Sequence, residues 1–414
     1  MDNIKPKYHL DNPSTDIYVG DNRKVLSKLP EESVDLIFAD PPFNWDFDYG
    51  KWADNLPREE YLSFTYGWLD ACVRVLAQHG SLWINIPDDT VAEIVMHLKE
   101  KQKLHMINWC IWHFRFGQCR NKNFIVSKVH VLYFAKEKDP KNRIWNPDLI
   151  LEPSDRATTY GDHRTRETET PGLRVPFDVW YGRFWGRVQG NNSERQSLHV
   201  NQIPEVYMER VIRACSKEGN LVLDPFLGSG TTCTIARALG RRSIGIEYNR
   251  ELAKSAFGRI KKGPVRNNYF EAAIERAFYT VHEGESSEEV VINDRLRKAF
   301  LKSCDEQLKK LGLESKSEFE CNWELWNYRK TGRLGRVFEP RRKDHSLVSH
   351  SDGLHARNVA KQIRKNGLSS IDRIMCDPDL RREFDRKAKE IDPQVDIYLV
   401  RKAVLNERKN PQKG

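Results

Sequence analysis

Four residues constrain this chain more than any others: Asp40-Pro41-Pro42-Phe43. They follow Val34-Asp35-Leu36-Ile37-Phe38-Ala39, a run that is apolar at all but one position. Such a run reads as a strand buried on both faces, the kind found in parallel sheets. Open α/β sheets bind ligands beyond the carboxyl ends of their strands. Proline fixes its own φ and restricts the residue before it. Asp40 and the Pro41 carbonyl are therefore expected at fixed positions, as two acceptors with the Phe43 ring beside them. A planar exocyclic amino group on a nucleobase matches such a site. The plain alternative is a rigid strand-to-loop turn with a chance aromatic.

A second strand-turn-helix signature argues against that alternative. It is Leu221-Val222-Leu223-Asp224-Pro225-Phe226-Leu227-Gly228-Ser229-Gly230-Thr231-Thr232. Gly228 and Gly230 allow close backbone approach to a ligand. Ser229, Thr231 and Thr232 open a helix whose free N–H groups suit a carboxylate. Arg242-Ser243-Ile244-Gly245-Ile246-Glu247 then places an acid at the end of the next strand. Glu247 follows Asp224 close to the spacing of about 20 residues at which an acid binds both ribose hydroxyls. A Rossmann dehydrogenase is disfavoured, because Asp224-Pro225-Phe226 departs from Gly-x-Gly-x-x-Gly.

With both motifs in view, the chain resembles the DNA amino-methyltransferases that use S-adenosylmethionine. Asp40-Pro41-Pro42-Phe43 looks like their catalytic motif and Asp224 to Gly230 like their cofactor motif. The catalytic motif comes first, as in the permuted group called the beta class. The resemblance covers about residues 15 to 262. It implies a Rossmann-like α/β methyltransferase fold with a central, mostly parallel sheet. It also implies that Asp21, in the Gly20-Asp21 turn after the strand Thr15 to Val19, lies beside the cofactor's adenine; a helix cap is the plainer role. His199-Val200-Asn201-Gln202-Ile203-Pro204-Glu205 resembles the family's His-Pro-Thr-Gln-Lys-Pro segment, with Ile203 where lysine is usual. His199 and Gln202 thereby join Asp224, Phe226, Gly228, Ser229, Gly230, Thr231 and Glu247 as cofactor-side candidates. Asp40, Pro41, Pro42 and Phe43 are the catalytic candidates.

Between the motifs, strands and helices alternate. Helices are expected through Val25 to Leu29, Arg58 to Leu76 and Thr90 to Lys101. Strands are expected at Gly80 to Ile86, Trp109 to His113 and Val129 to Phe134. Alternation at this spacing argues a parallel sheet. Many relatives carry a His-Glu pair before the last of these strands, where this chain has Lys128-Val129. His113 and His130 read as packing or hydrogen-bonding residues. Asn44 to Trp52 is aromatic and aperiodic, a candidate to close over an extruded base. Asp46 and Asp48 stand without further ligands, so no metal is expected. Residues 136–198 lose the alternation. Arg115 to Lys122, before them, is a basic loop. Within them Asp155 to Arg166 carries side chains suited to phosphates and base edges, and Phe177 to Arg187 is aromatic and basic. The family places its target-recognition region there.

The expected division is 1–135, the catalytic half; 136–198, target recognition; 199–280, the cofactor half; and 281–414, a mainly helical C-terminal module. In that module Leu296, Phe300, Cys304, Leu308 and Leu311 share one helical face. Asp377-Pro378 reads as a helix start with Leu380, Phe384, Ala388 and Ile391 as its buried stripe. Tyr328 to Lys343 is an exposed basic stretch, suited to DNA backbone or to assembly. No internal repeat is evident.

Composition narrows the setting. The formal net charge is +9, which favours an anionic partner. The 8 cysteines form no Cys-x-x-Cys pair, so neither zinc nor a disulfide framework is indicated. With no signal peptide and no 18-residue apolar run, a cytoplasmic protein is expected. The reading is a methyltransferase acting on N6 of a flipped-out adenine in double-stranded DNA, with S-adenosylmethionine as cofactor. A homodimer and a cognate restriction enzyme are candidate partners. Cytosine-N4 is the first alternative, although such relatives usually carry Ser in place of Asp40. An RNA adenine methyltransferase and an inactive DNA-binding subunit follow.

Overall fold

The structure is a computed structural model. It describes residues 5–46, 54–114, 122–154, 156, 164, 173–182, 185–190, 192–199, 201–265, 269–311, 313–330, 350–365 and 370–409. The chain divides into two compact units, one of residues 1–150 with 175–267, the other of 151–174 with 268–414.

The first unit is built on a nine-stranded sheet. In chain order its strands are β1 (Tyr8–Leu10), β2 (Thr15–Val19), β3 (Val34–Ala39), β4 (Leu76–Ile86), β5 (His105–His113), β6 (Lys128–Ala135), β7 (Val179–Trp180), β8 (Leu221–Asp224) and β9 (Arg242–Glu247). They lie in the order β1-β2-β9-β8-β3-β4-β6-β5-β7. The helices are α1 (Asn22–Leu26), α2 (Arg58–Val75), α3 (Val91–Met96, prolonged by a π-helical turn over His97–Lys101), α4 (Glu205–Cys215), α5 (Thr231–Ala238) and α6 (Arg250–Lys262).

Strand β3 shows why the centre is parallel and buried. Alternate residues of a strand point to opposite faces. Ile37 and Ala39 enter a core with Trp68, Leu69 and Cys72 of α2 and with Ile94 of α3. Leu36 and Phe38 enter the opposite core with Tyr207, Met208 and Val211 of α4 and Ile235 of α5. Leu36, Ile37 and Phe38 each contribute about 1.5–3 kcal/mol by leaving water. Strands β3 and β8 are neighbours, parallel, with Val222 opposite Leu36 and Leu223 opposite Ile37. Two motifs far apart in sequence therefore end side by side.

The alternation over-reads one region. Strand β6 runs antiparallel to both β4 and β5. A parallel pair needs a crossover, usually a helix; β5 and β6 are joined through residues 114–127, in which no helix occurs among the described residues.

The second unit has eight helices among its described residues: α7 (Tyr269–Val281), α8 (Ser287–Ile292), α9 (Asp294–Lys310), α10 (Glu318–Lys330), α11 (His350–Lys365), α12 (Ile371–Cys376), α13 (Pro378–Ile391) and α14 (Ile397–Lys409). The sequence-based boundary at 280 moves to 267, because Ile274, Ala277 and Phe278 of α7 belong to this helical core. The segment 136–198 is likewise shared, 151–174 packing with the helices and the remainder with the sheet unit. The expected stripe of α9 is buried throughout; that of α13 is buried at Phe384 and Ala388, whereas Ile391 is exposed.

This unit corrects the expectation of no repeat. Helices α7–α10 have 13, 6, 17 and 13 residues, and α11–α14 have 16, 6, 14 and 13. Asn293 and Asp377 each end a six-residue helix and cap the helix that follows. Arg297 and Arg381 each donate back to the short helix, to the carbonyls of Val291 (2.8 Å) and Met375 (2.7 Å). Both also pair with Glu318. The closing helices cross reciprocally. Asn322 donates to the carbonyl of Cys376, the last residue of α12 (3.1 Å), and Arg401 to that of Ile292, the last residue of α8 (2.8 Å). The same succession of four helices thus occurs twice, with reciprocal contacts between the two halves. Only a few identities mark it, such as Leu296-Arg297 with Phe300 and Leu380-Arg381 with Phe384.

The stretches Arg115 to Asn121, most of Asp155 to Arg166, Phe47 to Trp52 and Thr331 to Lys343 lie outside the described residues.

Candidate active site

A cavity of about 390 Å³ opens at the carboxyl ends of β3, β8 and β9. Asp40, Pro41, Pro42, Phe43, Asp21, His199, Gln202, Asp224, Phe226, Gly228, Ser229, Thr231 and Glu247 all line it. Of the sequence-predicted residues only Gly230 does not. It adopts φ +76°, and a Cβ there would stand 3.0 Å from the Cβ of Ala256 on α6. Gly230 thus sets the start of α5 against its neighbour helix rather than facing a ligand. Replacing it with alanine adds about 1–2 kcal/mol of backbone strain before the clash is counted. Gly230→Ala should lower the melting temperature and weaken cofactor binding together. Thermal melting with and without cofactor checks this; two unchanged values would mean that the turn tolerates a side chain.

The turn after β3 is fastened from outside. The Tyr61 hydroxyl donates to the Pro42 carbonyl at 2.8 Å. The buried Asp54 carboxylate accepts from the backbone N–H groups of Asn44 (2.9 Å) and Trp45 (3.0 Å). The Phe43 ring meets Trp45 edge-on, with centroids 5.1 Å apart.

On the β8 side, Gly228 donates its N–H to one Glu247 oxygen (3.0 Å) and Asn249 donates to the other (2.8 Å). Glu247 is therefore oriented by backbone at the cavity wall. The sequence left Asp21 with two roles, and the geometry shows the plainer one. It caps α1 through the Arg23 N–H (2.9 Å) and forms an ion pair with the Arg23 guanidinium (2.7 Å), while still lining the cavity. Gln202 spends its amide on the segment before it, donating to the Glu194 carbonyl (2.7 Å) and accepting from the Gln196 N–H (2.9 Å). Below the glycine turn lies a buried pair, Arg259 with Glu205 at 3.0 Å. Arg259 also donates to Thr231 Oγ1 at 2.7 Å.

Four carboxylates line the cavity, Asp21 paired with Arg23 and three others raised by burial. Burial pushes Asp40 up to about 6, against the opposing pull of the Asn85 hydrogen bond and the Arg187 charge. Burial pushes Asp224 up to about 7; hydrogen bonds from Thr232 and Phe226 oppose the rise, and the charges of Asp40 and Glu247 add to it. Glu247 is raised by burial, against its backbone donors. Such a cluster favours a ligand that carries positive charge. His199 is held neutral, pushed down to about 4 by burial and by Arg259. Its buried Nε2 has no hydrogen-bond partner among the described residues.

Sequence reading missed Asn85, Tyr207, Arg187 and Arg259. Asn85 had a visible signal, one amide in the apolar run Leu82-Trp83-Ile84-Asn85-Ile86. The others are brought in by helices and loops from elsewhere in the chain. Away from the cavity, His130 accepts from the Trp109 indole (2.8 Å) and pairs with Asp88. The His113 ring Nδ1 lies 3.0 Å from the Ser127 carbonyl. No group of metal-ligating side chains occurs among the described residues.

A parallel α/β core, a glycine turn opening a helix and an acid ending the next strand together define a nucleotide-cofactor transferase of the methyltransferase type. The family model described as DNA methylase matches residues 34–258, more than half of the chain. Among curated relatives, the chain is 34% identical to the Type II methyltransferase M.HpaI of Haemophilus parainfluenzae over 237 residues, which is 57% of this chain and 71% of that one. It is 32% identical to the DNA adenine methyltransferase YhdJ of Escherichia coli (strain K12) over 253 residues, covering 60% and 83%. Among solved structures, the PvuII DNA methyltransferase (cytosine-N4-specific) aligns with 73% of this chain and 95% of its own, at 16% identity and a TM-score of 0.47. The chain belongs to the N6/N4 DNA methylase family and is an S-adenosylmethionine-dependent DNA amino-methyltransferase.

The cavity fits that cofactor. Glu247 is aimed by two backbone N–H groups, the orphan His199 Nε2 is buried at the wall, and a Cβ on Gly228 would meet nothing closer than the Phe226 carbonyl at 3.7 Å. No described helix is long and apolar enough to cross a membrane.

Proposed function

We propose that the chain methylates the exocyclic N6 of an adenine flipped out of double-stranded DNA. The observation that carries this reading is a carboxylate, Asp40, lining the cavity beside Phe43, where cytosine-N4 relatives usually have serine. The name of the relative YhdJ supports the same base. An amino nitrogen on a nucleobase is a poor nucleophile because its lone pair is delocalised into the ring. Asp40 and the Pro41 carbonyl accept hydrogen bonds from it and draw it toward tetrahedral geometry. Pro42 stiffens the turn and Phe43 stacks on the base. S-adenosylmethionine supplies an already activated methyl group. Positioning then provides much of the rate. A duplex hides the target atom, so the base must leave the stack.

On the cofactor side, Glu247 accepts from the ribose hydroxyls. Ser229 and Thr231, at the N-terminus of α5, face the carboxylate, with Gly228 and Gly230 shaping the turn. Asp21 lies toward the adenine, Phe226 and Asp224 form the wall, and His199 and Gln202 border the methionine end. Sequencing that maps modified bases in DNA from cells expressing the chain tests the target. Modified adenine within a recurring sequence supports the reading, and modification confined to cytosine overturns it.

Residues 136–198 are proposed to read the DNA sequence, and the helical unit to hold the DNA backbone. Type II names among the relatives support a restriction-modification setting with a cognate nuclease. A homodimer is the proposed assembly. Arg333, Arg336, Arg341, Arg342 and Lys343 motivate the backbone role. Replacing all five with glutamine should weaken binding to every DNA sequence and flatten its salt dependence, by about 0.9 in logarithmic slope for each phosphate no longer neutralised. Binding isotherms across a salt series measure this. An unchanged slope with altered sedimentation would assign the stretch to assembly.

A further inference from the structure

Asp40 is held by a buried chain of hydrogen bonds that the methyl-transfer reading does not use. Asn85, at the carboxyl end of β4, donates from Nδ2 to Asp40 Oδ1 at 3.0 Å. The Tyr207 hydroxyl, on α4, donates to Asn85 Oδ1 at 2.6 Å. Asn85 and Tyr207 are both 0% exposed. A lone amide is a costly choice for the interior of an apolar strand. An aliphatic side chain would fill the same place without polar groups to satisfy.

The two ends of the amide are not equivalent here. Rotated by half a turn, Asn85 would set its carbonyl oxygen against a carboxylate oxygen, acceptor against acceptor. Tyr207 prevents this by donating to the carbonyl end. With Oδ1 of Asp40 engaged by Asn85, Oδ2 is the oxygen left for a ligand in the cavity. Tyr207 is itself fixed by packing, edge-on to Phe38 and to Trp180.

We propose that Tyr207 and Asn85 are positioning residues for methyl transfer, a buried relay that aims one oxygen of Asp40 at the target amino group and holds the carboxylate as an acceptor. The proposal rests on the reading of Asp40 as the group that accepts from that amino nitrogen. Other charges also bear on Asp40. Arg187, from the segment before α4, favours its ionised form, and the Asp40 charge in turn helps raise Asp224 at the end of β8, as does that of Glu247. Cys110 of β5 lies beside Tyr207 and stays protonated through burial. Asn85 is thus one of two groups that stabilise the carboxylate, and its removal should be visible in a pH profile.

The test compares Asn85→Ala and Tyr207→Phe with the unaltered chain, measuring turnover on DNA from about pH 5 to 9, cofactor affinity and melting temperature. Misaligned reacting groups cost up to about 100-fold. Asn85→Ala should lose about 10- to 100-fold in turnover and Tyr207→Phe less, each with cofactor affinity nearly intact. In both, the acid limb of kcat/KM should move to higher pH. Folded variants whose acid limb stays in place overturn the relay, whether or not turnover falls, because a merely structural residue would leave that limb unmoved. Asp40→Asn run alongside separates the two readings. If it keeps turnover, the role of Asp40 itself fails. If it loses turnover while the limb stays put in the other variants, only the relay fails. Should Asn85→Ala not fold, Tyr207→Phe, which deletes a single atom, decides alone.

Discussion

Asp40→Ala should abolish most turnover while leaving S-adenosylmethionine affinity nearly intact. Losing one preorganised hydrogen-bond partner in a transition state costs about 100- to 1,000-fold in rate. Cofactor affinity is spared because the Glu247 and Ser229–Thr231 side of the cavity is untouched. Single-turnover kinetics with calorimetric cofactor binding measure both; near-normal turnover would remove Asp40 from the mechanism. The unaltered protein carries a linked signature. Burial raises the Asp40 carboxyl to about 6, so kcat/KM should fall as pH drops through that value and the acceptor becomes protonated. The sign for stability is the reverse of the usual aspartate. A folded-state pKa above the unfolded one means that stability is lost, not gained, as pH rises from about 4 toward 6. Asp40→Asn should therefore melt no lower than the unaltered protein at neutral pH, and its loss of activity would not be a loss of fold.

Glu247→Ala should weaken S-adenosylmethionine binding by about 1.5–3 kcal/mol, roughly 10- to 150-fold. The ribose hydroxyls lose a charged acceptor that two backbone N–H groups hold in place. Those two donors are then left for water or for a shifted turn, so the effect should sit near the upper end of that range. Calorimetry decides it. Unchanged affinity would make Glu247 a residue that only fastens the Gly228 turn.

What the sequence made legible follows from periodicity and from local chemistry. Strand β3 is apolar on both faces because helices cover both, and that pattern is visible in Leu36, Ile37 and Phe38 without any structure. The two motifs were each readable because proline and glycine act on their own neighbours. Their meeting was inferable from the rule that ligands gather at strand ends, and the adjacency of β3 and β8 supplies the physical reason. Relations between residues distant in sequence were not readable. Nothing local in Tyr207 tells that its hydroxyl reaches β4, or in Arg187 that its charge bears on Asp40. The antiparallel placement of β6 was hidden because a strand's own composition does not reveal its partner's direction. The duplicated helical motif was hidden for a different reason. Its halves keep the caps, the Leu-Arg pairs and the phenylalanines, but elsewhere exchange one buried residue for another of suitable size, as cores tolerate.

The target base is the central claim, and one measurement addresses it directly. DNA is incubated with the protein and methyl-labelled S-adenosylmethionine, digested to nucleosides and resolved by mass spectrometry. An aromatic ring such as Phe43 can stack on any base and does not discriminate; the proposal of adenine rests on Asp40, since an ionised carboxylate is a stronger acceptor than the serine usual in cytosine-N4 enzymes. Label in 6-methyladenine is the expected result. Label in 4-methylcytosine alone would contradict it, while leaving the fold, the cofactor and the family standing.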